Sequence, residues 1–152
     1  MSQSIARVSI HLVFSTKGRV AWLKSVDVRE ALCAYMATIL RHNVDSPAII
    51  VNGAEDHIHA LVLLSRKFAI MKIVQEAKTE TSKWIKKQPR IPPSFSWQNG
   101  YGAFSVSESK LPVVKAYIRN QQEHHRRMTF KDELRALCQR HNVELDERYA
   151  WE

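Results

Sequence analysis

The stretch that decides the fold is His57-Ile58-His59-Ala60-Leu61-Val62-Leu63-Leu64, HIHALVLL. Ile58, Ala60, Val62 and Leu64 fall at every second position, which is the pattern of a strand with one face on a core. His57 and His59 then share the opposite face, with backbone positions roughly 6–7 Å apart. At that spacing two imidazoles can converge on one cation. Asp56 precedes them in the turn.

Working outward, residues 48–53 (AIIVNG) read as a preceding strand. Asn52-Gly53 is a turn signal, and the polar run through Asp56 makes the loop slightly longer than a two-residue hairpin. Residues 6–15 alternate as well, with Val8, Ile10, Leu12 and Phe14 on one face and Ser9, His11, Val13 and Ser15 on the other. A basic loop with Lys17 and Arg19 leads to a helix over 27–43, for which Asp27 is the candidate N-cap. A second amphipathic helix is expected over 69–87, and Pro89, Pro92 and Pro93 punctuate the connection after it. A fourth strand over 101–107 and two helices, about 110–126 and 130–142, complete the chain. The order β-α-β-β-α-β defines an α+β, ferredoxin-like (RRM-like) antiparallel sheet with two additional C-terminal helices. In such a sheet the third strand is central. Helices pack on one face and the other face is expected to be open, so the histidine pair should look outward.

The 152 residues suit one domain spanning 1–152. Lys plus Arg number 23 against 15 acidic residues, a net charge of +8. That excess favours a polyanionic partner, most commonly nucleic acid, although charge alone does not specify a site. Cys33 and Cys138 lack any C-x-x-C spacing and are expected to be buried, unlinked thiols. The alternating N-terminus is neither a signal peptide nor a membrane span. A cytoplasmic protein with no membrane partner is the expectation.

A second constellation lies in SKLPVVKAYIRNQQEHHRR, residues 109–127. Tyr117 and Gln121 are four residues apart and therefore adjacent on one helix face. Spacing establishes only adjacency: most helical tyrosines are half-buried packing residues, and His-x-His taken alone is a weak signal. Trp97, Tyr101 and Phe104 offer aromatic surface, and Lys110, Lys115, Arg119, Arg126 and Arg127 offer cations, a mixture suited to single-stranded nucleic acid. For Trp97 and Phe104 individually, burial in the core is the better reading.

Taken together and in order, DHIHALVLL (56–64), SKWIKK (82–87), FSWQNGYGAFSVS (95–107), YIRNQQEHH (117–125) and DERY (146–149) resemble the single-tyrosine HUH transposases of small bacterial insertion sequences, of the IS200-like type. The resemblance runs across nearly the whole chain. It implies a metal-dependent transposase that cuts and rejoins hairpin-bearing single-stranded DNA ends through a 5′-phosphotyrosine. It places the nucleophile at Tyr117, and the ligands of Mg²⁺ or Mn²⁺ at His57, His59 and Gln121. It also implies a homodimer whose tyrosine helix can complete the partner's site. Lys17, Arg19, Lys110, Lys115 and Arg119 are the candidate DNA contacts. The loop reads Lys17-Gly18-Arg19 where the family often carries an aromatic residue between two basic ones.

Three other readings compete. A non-catalytic module for single-stranded DNA or RNA can use the same fold, but it leaves the set His57, His59, Tyr117 and Gln121 without a purpose. A domesticated relative would apply the same chemistry to chromosomal repeats. A zinc hydrolase would need a third His, Asp or Glu ligand on a suitable strand, and the sequence offers none.

Overall fold

Alternation on the strands divides the molecule into two faces. A computed structural model describes residues 2–152. The elements are β1 (Ser9–Ser15), α1 (Val26–Val44), β2 (Ala48–Gly53), β3 (His57–Leu63), α2 (Ile70–Ile85), β4 (Gly102–Val106), α3 (Leu111–Arg119), α4 (Gln121–Arg127) and α5 (Phe130–Arg140). Single-turn 3₁₀ helices occupy Lys17–Arg19 and Glu108–Lys110. The sheet order is β2-β3-β1-β4, and each neighbouring pair is antiparallel. This is the expected ferredoxin-like plan, with β1 and β3 as the inner strands.

On one face, Ile10, Leu12 and Phe14 of β1 and Ile58, Ala60 and Val62 of β3 pack under α1 and α2. Leu32, Met36 and Leu40 from α1 and Ile73, Val74 and Ala77 from α2 complete this core. Trp97 belongs to it too, edge-on to Phe14 at 5.1 Å, with its indole N–H donated to Thr81 Oγ1. Cys33 and Cys138 are buried and unlinked, as expected.

The other face is closed. Phe130, Leu134, Leu137 and Cys138 of α5 pack on Val13 and Phe104 in a second apolar cluster. These α5 positions recur at helical spacing, so the helix presents one apolar stripe and the sheet receives it. The expectation of an open face is therefore corrected: His57 and His59 are only 1% and 0% exposed. A sheet face carrying Val13, Leu61 and Phe104 has enough apolar surface to recruit a third layer.

Several local expectations also change. Ser25, and not Asp27, caps α1, its side chain accepting the Val28 N–H. The tyrosine helix expected over 110–126 breaks at Asn120 into α3 and α4, so three helices follow the sheet. The break has a visible cause. Asn52 Nδ2 donates to the carbonyls of both Ile118 and Arg119, at 3.0 Å each, and so occupies the end of α3. Asn52 itself is in β2, opposite His59, and does not form a turn. The hairpin loop is Ala54 to Asp56, closed by Ala54 N–H donating to the His57 carbonyl. Among the described residues no helix is long and apolar enough to cross a membrane.

Gly53 is required by close approach. A Cβ there would stand 2.2 Å from the His57 carbonyl oxygen and 2.9 Å from Ile58 Cδ1. Gly53→Ala is expected to lower stability by about 1–3 kcal/mol. Gly100→Ala, where an added Cβ meets nothing within 4 Å, should be near neutral. The urea midpoints of the two variants check this, with equal midpoints contradicting it.

Candidate active site

A histidine facing inward from a central strand must find a polar partner or remain unsatisfied. His57 Nδ1 meets Asp56 Oδ1 at 2.7 Å, and its Nε2 meets Gln121 Oε1 at 2.8 Å and Glu133 Oε1 at 3.2 Å. His59 Nε2 lies 2.9 Å from the same Glu133 oxygen, and its Nδ1 lies 2.7 Å from His11 Nε2. The other Glu133 oxygen, Oε2, accepts the Tyr117 hydroxyl and, at 3.1 Å, the Gln121 amide N–H. One carboxylate thus joins both histidines, Tyr117 and Gln121.

Each participant is fixed by its element. His57 and His59 stand two apart on β3, across from Ser15 and Val13 of β1. Tyr117 lies in the last turns of α3, and Gln121 opens α4 just after the break. Glu133 sits in the first turn of α5, where the Thr129 side chain caps the helix and Phe130 packs 5.0 Å from the His57 ring. The Tyr117 ring stacks on His124 at 4.4 Å and lies 6.0 Å from the His59 ring. All of these groups come from one chain.

The electrostatics follow from the packing. Burial alone would lower the His57 pKa, but its hydrogen bonds to Asp56 and Glu133, and their negative charges, raise it to about 9. Every oxygen facing its ring nitrogens accepts, so His57 is held as an imidazolium. Burial raises a carboxyl, yet the hydrogen bonds and charge from His57 and His59 hold Glu133 far below the usual carboxylate range. His11 is pushed down to about 3, by burial first and then by His59, and is neutral. Burial, and then the hydrogen bond to and charge of Glu133, push the Tyr117 phenol above the ordinary tyrosine range.

The donor set fits a divalent cation. His57, His59 and Glu133 bring one ligand atom each within 4.8 Å of one another. Neighbouring ligands around an octahedral ion with bonds of about 2.1 Å stand ~3 Å apart. The 2.9 and 3.2 Å separations from Glu133 Oε1 to the imidazole nitrogens, and the 2.8 Å from His57 to Gln121, match that spacing. Asp56, 2.7 Å from the far nitrogen of His57, stands where an outer partner would orient that imidazole toward a cation.

Beside Tyr117 opens a cavity of about 540 Å³, lined in part by His11, Lys110, Tyr117, Arg140 and His141. Of the expected DNA contacts, only Lys110 lies there. Lys17 is exposed, and Arg19 is half-buried, donating to the Trp151 carbonyl at 3.3 Å. Lys115 is half-buried and Arg119 exposed, both on α3. Of the three aromatic candidates only Tyr101 is exposed; Trp97 and Phe104 are core.

The geometry brings His57, His59, Tyr117 and Gln121 together as the sequence suggested. The sequence reading missed Glu133 and His11. His11 carried a signal, since it shares the non-core face of the first strand. Glu133 carried none beyond its place in an amphipathic helix.

A model of IS200-like transposases matches residues 4–121. The chain belongs to the IS200-like transposase family. The match ends at Gln121, so α5 and Glu133 lie beyond it. None of the curated proteins matches significantly. Among solved structures, the chain is similar to one assigned as a transposase in Deinococcus radiodurans R1. That match has 21% identity and a TM-score of 0.59, and covers 78% of this chain and 94% of that one. It is also similar to a REP-associated tyrosine transposase bound to a REP hairpin. There the identity is 10% and the TM-score 0.52, over 80% of this chain and 70% of that one. At these identities the likeness is one of fold.

The raised His57 pKa has a stability consequence. In chelator, the contribution of its ion pairs is fully present below the unfolded value of about 6.5 and fades as pH rises through 9. Glu133 acts in the opposite sense, its contribution fading as acid protonates it. The stability gap between wild type and His57→Gln should therefore narrow by a few kcal/mol between pH 6 and pH 10. Urea unfolding across that range measures it, and a constant gap would show that His57 carries no charge.

Proposed function

We propose that this transposase-family chain cleaves and rejoins single-stranded DNA at hairpin-bearing ends, with Tyr117 as its nucleophile. The observation that carries the reading is the convergence of the Tyr117 hydroxyl and both imidazoles on one buried carboxylate within one chain. A binding module that does no chemistry has no use for such an arrangement.

In the proposed reaction Tyr117 Oη gives up its proton and attacks the scissile phosphorus in line, the proton lost by the phenol balancing the one gained by the leaving oxygen. The P–O3′ bond breaks, the 5′ phosphate stays on Tyr117, and the released oxygen takes a proton to become a 3′-OH. Because the phosphotyrosine keeps the ester, an incoming 3′-OH reverses the step and rejoins strands without ATP. His57, His59 and Gln121 would hold Mg²⁺ or Mn²⁺, which supplies Lewis-acid polarisation and orients the phosphate. Asp56 and His11 fix the two rings from behind. Lys110 and Arg140, lining the cavity beside Tyr117, offer positive charge to the flanking phosphates.

Hairpin DNA is proposed as substrate because a similar fold is seen bound to a REP hairpin. A homodimer, which the family resemblance implies, would in this reading pair two sites that are each complete, since Tyr117 reaches the histidines of its own chain.

Incubation of the protein with Mn²⁺ and a labelled single-stranded hairpin should yield a covalent protein–DNA species on a denaturing gel. Tyr117→Phe is expected to abolish it and His57→Ala to reduce it strongly, and duplex DNA of the same sequence should be a poor substrate. An undiminished adduct with Tyr117→Phe would refute the reading.

A further inference from the structure

We infer that Glu133 is itself a ligand of the divalent cation, so that the metal centre is a two-histidine, one-carboxylate set completed from α5. The inference rests on the catalytic reading above and adds to it a residue outside the stretch matched by the family model, residues 4–121.

Position is the first support. Glu133 Oε1 lies between the two Nε2 atoms, 3.2 Å from His57 and 2.9 Å from His59. Those are the separations of neighbouring ligands on one ion with bonds of about 2.1 Å. Gln121 Oε1 stands at the matching distance from His57, 2.8 Å, and Glu133 Oε1 faces both rings.

Chemistry is the second. Two imidazoles and an amide form an uncharged, nitrogen-rich site, poorly matched to oxygen-preferring Mg²⁺ or Mn²⁺. A carboxylate adds the negative charge and hard oxygen that such ions favour. Among the described residues the 4%-exposed Glu133 has no arginine or lysine ion-pair partner; its partners are His57, His59, Tyr117 and Gln121. Burying a carboxylate is costly unless something positive faces it; a cation bound at both imidazoles would take over that role from the proton of His57.

The third is rigidity. The Thr129 cap, the Phe130 contact with His57, and the burial of Leu134 and Leu137 fix the first turn of α5 against the sheet. The oxygen is thus delivered by a packed helix, which suits a ligand. Its second oxygen accepts the Tyr117 hydroxyl, so one carboxylate would set both the cation and the tyrosine.

The test is Mn²⁺ binding to the full chain, followed by electron paramagnetic resonance of the free ion. Wild type should bind one Mn²⁺, and Tyr117→Phe should bind it equally. Glu133→Gln, which keeps the shape and removes the charge, should weaken binding by more than ~100-fold, beyond the roughly 10–100-fold that loss of an outer partner of a ligand costs. Glu133→Asp, which keeps the charge and draws the oxygen back, should weaken it less. Circular dichroism identifies the folded variants, and the aspartate variant serves if the glutamine variant fails to fold. Wild-type affinity in either folded variant would overturn the assignment. His57→Ala separates the two claims. If it too binds like wild type, the histidine pair is not the metal site. If it loses binding while Glu133→Gln does not, only the role of Glu133 falls.

Discussion

Burying a carboxylate between two imidazoles forfeits hydration that only hydrogen bonds and opposite charge can offset. The Glu133 interaction with His57 and His59 therefore constrains everything around it. It places α5 against the outer face of the sheet, because the carboxylate must reach β3. It places α3 and α4 as well, because the Tyr117 hydroxyl and the Gln121 amide are donors that the same carboxylate satisfies. Asn52 reinforces the arrangement from β2, holding the carbonyl end of α3 where the chain turns into α4. The polar cluster and the apolar contacts of Phe130, Leu134 and Leu137 thus act together on one helix.

This coupling explains how a face with two histidines and a tyrosine can be closed with His57, His59, Tyr117, Gln121 and Glu133 all hydrogen-bonded. Asp56 and His11 take the outer nitrogens of the pair, and Gln121 and Glu133 take the inner ones. The same arrangement keeps the phenol protonated when no cation is present, since a carboxylate facing a hydroxyl opposes its ionisation.

Most of the sheet was legible in the sequence because its strands alternate cleanly. β2 lies at the residues read for it, and β3 is one residue shorter than the reading. Alternation also put His57 and His59 on one face correctly. What it could not show was the cover on that face. Glu133 reads as an ordinary acidic residue in the first turn of a capped helix, and only the third dimension reveals that it points inward. The break at Asn120 was hidden for a similar reason. Its cause is Asn52, a distant side chain whose local pattern, Asn-Gly, signals a turn. Conversely, Trp97 and Phe104 sit in the core for the plain reason that large aromatic residues bury area.

The central claim is that Tyr117, held within one chain beside His57 and His59, forms the covalent link to DNA. The most direct measurement is mass spectrometry of the protease-digested protein–DNA adduct formed on a single-stranded hairpin. A 5′-phosphorylated nucleotide attached to the peptide carrying Tyr117 is the predicted result. A nucleotide attached to any other residue, or no nucleotide-bearing peptide from a chain that cleaves the DNA, would contradict the account.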